Sequence, residues 1–497
     1  MSRRAVVAGA AAGLASTSAL AAIPPAPEAY QSLRTVAHRI AAREVSPVEL
    51  THRTLTRIAT VDPVLKSYAT VMGDQAMADA ERAASEIAAG RYRGPLHGVP
   101  IAIKDLCWSK GVRTMGGLAV RRDFVPEQDA TVVTRLRAAG AVVLGKTNLS
   151  EGAAAGYNPV MDVPLNPWNH DRWPGMSSSG SGVAVAAGLC FAAVGTDTGG
   201  SIRMPSSANG VVGLKPTYGR VSRFGVMPMA PSLDHVGPIA REVADAAILF
   251  DAMAGRDPAD PTSLDAPPAQ AAGALGGGVR GLRIGVDHAY ALEGIDPGQA
   301  RAIEAALKEL ERQGAVITPV RMPDLSNAMP SWMTICGVEM AAAHAATYPS
   351  RAAEYGPYLR EFLATGSAVT PDALAAAQRH RAELTAAMNA LLDTVDVMAG
   401  PAGGDPAWPI THAIQTGPLV AYHQAWSVAQ PRSAQFTMPM DLAGVPAICL
   451  PCGMSVDGLP YSIQFTGRRL SEAMLFRVAY AYEQVSDWHE RHPPVQA

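Results

Sequence analysis

Two periods of apolar spacing alternate along this chain. Ser46-Pro47-Val48-Glu49 has the form of a capping box with proline at the first helical position, and predicts a helix running to about Thr60. Asp129 stands where an N-cap belongs, ahead of a helical run over 130–139 that Gly140 stops; Ala141-Val142-Val143-Leu144 then reads as a short buried strand. The same order recurs as a helix over 299–313, Gly314, and a strand at Ala315-Val316-Ile317. Toward the end, 445–450 and 461–465 read as strands and 471–485 as a closing helix. Helices and strands therefore alternate in α/β order. A glycine-rich segment, 273–281, separates a first half dense in Gly and Ser from a helical stretch over 296–392. We expect one domain, 23–497, with a helical cap-like region at about 290–395 rather than a second domain.

The first residues carry a different pattern. Ser2-Arg3-Arg4 precede a small-residue apolar run, 5–14, and Ala19-Leu20-Ala21 has the A-x-A form of a signal-peptidase site, with Pro24-Pro25 following. A removed leader, 1–22, is expected, and with it an exported protein, periplasmic or secreted; the alternative is a buried N-terminal helix. The arginine pair matches the twin-arginine route, although Val6 and Val7 fit that pattern only in part. No later stretch is long and apolar enough to span a bilayer, so no stable membrane association is expected after leader removal.

Composition narrows the function classes. With 48% hydrophobic residues, 17% charged and a net charge of −3, the 497-residue chain is neither disordered nor basic enough to read as a nucleic-acid binder. Five cysteines, an odd number, do not make a disulfide framework. Cys449-Leu450-Pro451-Cys452 has redox or zinc spacing but no second ligand pair nearby, and we read its cysteines as apolar strand residues.

The candidate chemistry lies in two loops around one Ala/Val helix: Pro174-Gly175-Met176-Ser177-Ser178-Ser179-Gly180-Ser181-Gly182, and Gly195-Thr196-Asp197-Thr198-Gly199-Gly200-Ser201. Glycines permit close backbone approach, so such loops can aim several N–H groups at one oxyanion. Four familiar motifs fail here. Asp197-Thr198-Gly199 is a single aspartic-protease-like triplet where two are needed. Lys104 has no kinase glycine loop before it and no H-R-D or D-F-G after it. Gly180-Ser181-Gly182 lacks the third glycine of a dinucleotide fingerprint, since Val185 stands there. A nucleophile elbow would need a late histidine, and His423, His489 and His492 sit in no recognisable context.

Gly98-Val99-Pro100-Ile101-Ala102-Ile103-Lys104-Asp105, the serine–glycine loop, and the run from Gly195 to Ser201 continuing through Arg203, Pro205 and Gly213-Leu214-Lys215-Pro216-Thr217 closely resemble the amidase signature family. The resemblance covers about 33–485. Among the family's members are fatty acid amide hydrolase, peptide amidases, aryl acylamidases and the A subunit of the tRNA-dependent amidotransferase. The resemblance implies a large mixed β-sheet covered by helices on both faces, a Ser–Ser–Lys triad, and no metal or organic cofactor. It places the nucleophile at Ser201, the bridging serine, preceded by a cis peptide, at Ser177, and the base at Lys104, with Ser178 as the alternative bridge. Backbone N–H groups of Thr198, Gly199, Gly200 and Ser201 would form the oxyanion hole. Where the family usually has Gly-Gly-Ser-Ser-Gly-Gly-Ser, Met176 and Ser179 each replace a glycine, which alters the wall beside Ser177.

The roles make physical sense. A serine needs a base in reach, and a lysine reaches half-neutrality at pH 7 only if about 4.6 kcal/mol is supplied against its charged form. Lys104 ends an apolar strand, where burial can supply it; without the serine loops it would read as a surface lysine. Asp197 and Arg203 flank Ser201 and are expected to brace its loop. Met115, Tyr157, Met176, Ile202, Trp332 and Cys336 are candidates for the substrate pocket. The expected activity is hydrolysis of the C–N bond of a small neutral carboxamide through a Ser201 acyl-enzyme, with esters and carbamates as further substrates. The alternatives are an amidotransferase A-type subunit that generates ammonia, and a non-catalytic exported solute-binding protein. Homodimers occur in the family.

Overall fold

The structure, a computed structural model, describes residues 28–495, so the predicted leader, 1–22, lies outside the described residues. Among the described residues, eleven strands form one sheet in the order β1-β3-β2-β4-β6-β5-β10-β11-β9-β7-β8. They are β1 (Tyr68–Val71), β2 (Pro100–Lys104), β3 (Val142–Thr147), β4 (Ala192–Asp197), β5 (Val212–Lys215), β6 (His235–Ala240), β7 (Arg283–Val286), β8 (Val316–Pro319), β9 (Val397–Gly400), β10 (Ala447–Met454) and β11 (Pro460–Thr466). β2 runs parallel to β3 and β4, and β7 parallel to β8 and β9; the other neighbours are antiparallel. This is the mixed α/β sheet covered by helices that was expected.

The pleat explains why the central strands read as continuous apolar runs. Successive side chains point to opposite faces, and both faces are covered. Ile101 and Ile103 enter one core and Ala102 the other; Val143 enters the first while Val142 and Leu144 enter the second. The second core is closed by Ile58, Val61 and Leu65 of the helix Pro47–Leu65 and by the Ala/Val helix Ser179–Ala186.

Several local expectations shift. The helix Pro47–Leu65 runs past Thr60 and keeps Pro63 in its last turn. Ser46 accepts the Val48 N–H, but Glu49 pairs with Arg53 one turn on, so only half the capping box forms. Asp129 does not cap the next helix, Thr131–Ala138; its carboxylate accepts the Lys110 N–H and an Arg137 N–H, each at 2.7 Å. The region 290–395 is not helical throughout. β8 belongs to the sheet, and the helix Pro297–Arg312 lies on β11, where Gln299 exchanges hydrogen bonds with the Ser462 backbone. The helices standing off the sheet are Ala328–His344, Pro357–Ser367 and Pro371–Leu392. Cys449 and Cys452 are buried and unbridged on β10. Among the described residues, no helix is long and apolar enough to cross a membrane.

The parallel pair β2 and β4 places the C-terminal ends of both strands together, with Ile103 opposite Val194. Lys104 thereby stands beside Thr196 and the loop that follows β4. Ligand sites of α/β sheets form at such carboxyl ends.

Candidate active site

Every residue of β2 is buried, and Lys104 at its end has no solvent exposure. Its Nζ lies 2.7 Å from Ser177 Oγ, 2.9 Å from Ser178 Oγ and 2.8 Å from Thr196 Oγ1. Burial disfavours the ammonium and brings the amine down from 10.5 to about 7, so it is about half neutral at physiological pH. Lys104 touches both serines, but they are not equivalent. Ser178 Oγ–H donates to the Thr196 carbonyl at 3.1 Å and Ser178 Oγ accepts the Thr196 N–H at 3.1 Å. That proton is committed, whereas the Ser177 hydroxyl proton has no such acceptor among the described residues. The Met176–Ser177 peptide is cis.

Ser201 follows β4 on a tight loop and is partly exposed at the mouth of a cavity. Its carbonyl accepts the Ser178 N–H at 3.2 Å, joining the two serine loops. Among the described residues its Oγ has no hydrogen-bond partner, so the contacts that link Lys104 to Ser177 stop short of the Ser201 hydroxyl. The loop is held from below. Asp197 accepts the N–H groups of Gly200 (2.5 Å) and Ile202 (3.1 Å), and Arg203 Nε at 3.0 Å. Arg203 also donates to Asp441 at 2.6 Å and to Gln464 at 3.1 Å. These groups are fully buried. Burial alone would raise the Asp197 carboxyl; the adjacent Arg203 guanidinium overrides it and holds Asp197 ionised, well below the usual carboxylate range.

Of the four backbone N–H groups expected to form an oxyanion hole, one is already engaged. The Gly200 N–H is bound by Asp197, which leaves Thr198, Gly199 and Ser201 as the N–H groups without an acceptor in the described chain. Gly200 adopts φ +130°, and a Cβ there would meet Thr437 Oγ1 at 2.7 Å. A Cβ on Gly199 would meet the Trp332 ring at 2.8 Å. Both positions therefore need glycine.

Ser201 opens into a narrow, partly open cavity. Six methionines line it, among them Met176, Met329 and Met333, together with Trp332, Tyr358, Phe362, His423 and Trp426. Among the described residues, no Asp, Glu, Lys or Arg does. His423 Nε2 pairs with the Tyr358 hydroxyl at 2.8 Å, and burial lowers its pKa below that of a free imidazole.

Of the six pocket residues expected from sequence, Met176 and Trp332 line this cavity and four do not. Ile202 and Cys336 are fully buried, Ile202 in the core beneath the loop and Cys336 one turn beyond Trp332. Met115 is buried beside Asp105, which accepts its N–H at 2.9 Å. The Tyr157 hydroxyl donates to Ser179 Oγ at 2.6 Å. That bond gives Ser179 a use at a position where the family has glycine. Met176, the other departure, fills part of the cavity, and its Sδ accepts the Tyr422 hydroxyl at 3.4 Å. Sequence reading missed Thr196, the third neighbour of Lys104, and most of the wall. The available signal was apolar residues at helical spacing, Met329/Trp332/Met333 and Tyr358/Phe362, and the same spacing marks any buried helix.

The amidase family profile matches residues 49–476. The chain belongs to the amidase family. It is 42% identical over 485 residues to AmiD of Mycobacterium tuberculosis, a protein provisionally named as an amidase, covering 96% of this chain and 100% of that one. It is 40% identical over 493 residues to the A subunit of glutamyl-tRNA(Gln) amidotransferase from Pseudomonas syringae, covering 93% and 99%. Among solved structures, native peptide amidase from Stenotrophomonas maltophilia superposes with a TM-score of 0.83 at 34% identity, covering 95% of this chain and 100% of that one. The structural likeness thus spans both the sheet and the helices that wall the cavity of this amidase-family hydrolase.

Proposed function

We propose that this amidase-family protein is a serine hydrolase in which Ser201 is the nucleophile, Ser177 the proton bridge and Lys104 the base. The observation that carries this reading is the buried contact between Lys104 Nζ and Ser177 Oγ at 2.7 Å, with the amine held at about 7. Neutral Lys104 takes the Ser177 proton as Ser177 takes that of Ser201, once the Ser201 side chain turns toward Ser177. Ser201 Oγ bonds to the acyl carbon, and the developing oxyanion is met by the free N–H groups of Thr198, Gly199 and Ser201. The proton returns along the same path to the nitrogen, the C–N bond breaks and the amine leaves. Water then repeats the cycle on the acyl-enzyme and releases the carboxylic acid. Esters and carbamates enter the same route.

The cavity supports a substrate with an apolar, uncharged group beside the scissile bond, because no formal charge lines it and methionine side chains adapt to varied shapes. The 40% identity to the amidotransferase protein brings ammonia generation into view as a second reading. A charged acyl donor such as a free amino acid would find no ion-pair partner in this cavity, which favours simple hydrolysis. We place the mature enzyme outside the cytoplasm after removal of 1–22. The test is a panel of primary amides, anilides, carbamates and amidated peptides with the wild-type protein and Ser201→Ala. Turnover by the wild type with none by the variant, and a stoichiometric fluorophosphonate adduct at Ser201, support the assignment; full turnover by Ser201→Ala refutes it.

A further inference from the structure

Trp332 sits on the helix Ala328–His344, and its ring walls the cavity together with Met329 and Met333. The same residue touches the catalytic loop through its polar edge: indole Nε1–H donates to the Thr198 carbonyl at 2.7 Å. In a trans peptide the C=O and the N–H point in opposite directions. A donor that holds the Thr198 carbonyl toward the helix therefore turns the Gly199 N–H away from it. That N–H is one of the three with no acceptor in the described chain. The next peptide is held in the same manner, since Thr437 Oγ1–H donates to the Gly199 carbonyl at 2.7 Å, but the Gly200 N–H it orients is already bound by Asp197. Two successive peptide planes are thus fixed at their oxygens by side chains from two helices, and only the plane held by Trp332 presents a free donor. The ring also lies against Gly199 so closely that a Cβ there would meet it at 2.8 Å.

We propose that Trp332 is a positioning residue for the oxyanion: its indole N–H fixes the Thr198–Gly199 peptide so that the Gly199 N–H faces the substrate carbonyl oxygen. The proposal rests on the reading of Ser201 as nucleophile. It assigns the indole N–H and the indole ring separate roles, the first acting on the rate and the second on the fit of the substrate.

The test replaces Trp332 with 3-benzothienylalanine, which keeps the outline of the ring but substitutes sulfur for the N–H, and independently with phenylalanine. Loss of an oxyanion donor outright costs about 10²–10³ in kcat, and loss of its orientation is expected to cost about 10-fold. On an anilide with an apolar acyl group, kcat falls by that factor in both variants while KM in the benzothienyl variant stays within about twofold. A trifluoromethyl ketone of the same acyl group, which forms a tetrahedral oxyanion on Ser201, loses affinity by the same factor as kcat/KM; the matching product acid does not. Unchanged kcat, or a kcat loss with no loss of ketone affinity, overturns the proposal. If Ser201→Ala is inactive in the same assay while the Trp332 variants keep full kcat, the role of Trp332 falls alone. Turnover surviving in Ser201→Ala overturns the nucleophile reading and this proposal with it.

Discussion

Replacing Lys104 with methionine separates the amine from the space it fills, and the outcome follows from its environment. A buried lysine at about 7 instead of 10.5 carries a penalty for its charged form. The unfolded chain binds a proton at Lys104 up to about pH 10.4, while the folded chain releases it near 7, so between these values the unfolded state holds more protons and stability rises with pH. The cost to the fold is about 4 kcal/mol at pH 7 and about 2 kcal/mol at pH 9. Against this, the contacts to Ser177, Ser178 and Thr196 contribute about 1 kcal/mol each. Lys104→Met is therefore expected to be inactive, about 1 kcal/mol more stable than wild type at pH 7, and to lose that advantage by pH 9, the wild type gaining about 2 kcal/mol on it across the interval. Urea titrations followed by tryptophan fluorescence at pH 7, 8 and 9 measure the difference directly, and other titrating groups cancel between the two proteins. In parallel, wild-type kcat/KM rises with pH through about 7, as the ammonium gives way to the amine. A stability difference that stays flat from pH 7 to 9, or a methionine variant that keeps its rate, refutes the reasoning.

Removing the guanidinium by Arg203→Met leaves Asp197 and Asp441 buried without their partner, and is expected to cost about 3–5 kcal/mol by thermal or chemical denaturation. Ser179→Gly leaves the Tyr157 hydroxyl without an acceptor and costs about 1–3 kcal/mol; in a double-mutant cycle, adding Tyr157→Phe recovers part of that loss. Met176→Gly enlarges the cavity beside Ser201, and competition assays on acyl series should show preference moving toward bulkier acyl groups.

How much of this could be read from residues alone varied with the kind of signal. Lys104, Ser177 and Ser201 were marked by the resemblance of their segments to the amidase signature; the fold brings Lys104 and Ser177 to 2.7 Å and leaves the Ser201 hydroxyl apart. The α/β order was legible because strands such as Pro100–Lys104 are apolar on both faces. Which loop N–H groups stay free was only partly legible, because Asp197 reaches forward three residues to take the Gly200 N–H, a choice set by loop curvature rather than residue type. Asp129 shows the same limit, since an aspartate before a helix serves equally well as partner to Lys110 and Arg137. The cavity wall was nearly invisible. Met329, Met333 and Phe362 have the spacing of core residues, and only the fold puts them on the open side of Ser201.

The groups assigned to bond cleavage and those assigned to fit come from different parts of the architecture. Lys104, Thr196 and the Asp197–Arg203 loop hang from the central strands, whereas Met329, Trp332, Tyr358 and Phe362 come from helices standing off the sheet. Substitutions on those helices can therefore alter fit while leaving the groups assigned to bond cleavage in place. Trp332 is the exception, bonded to the loop and facing the cavity at once. Grafts of these helices between relatives should carry substrate preference with them most cleanly when that tryptophan is kept.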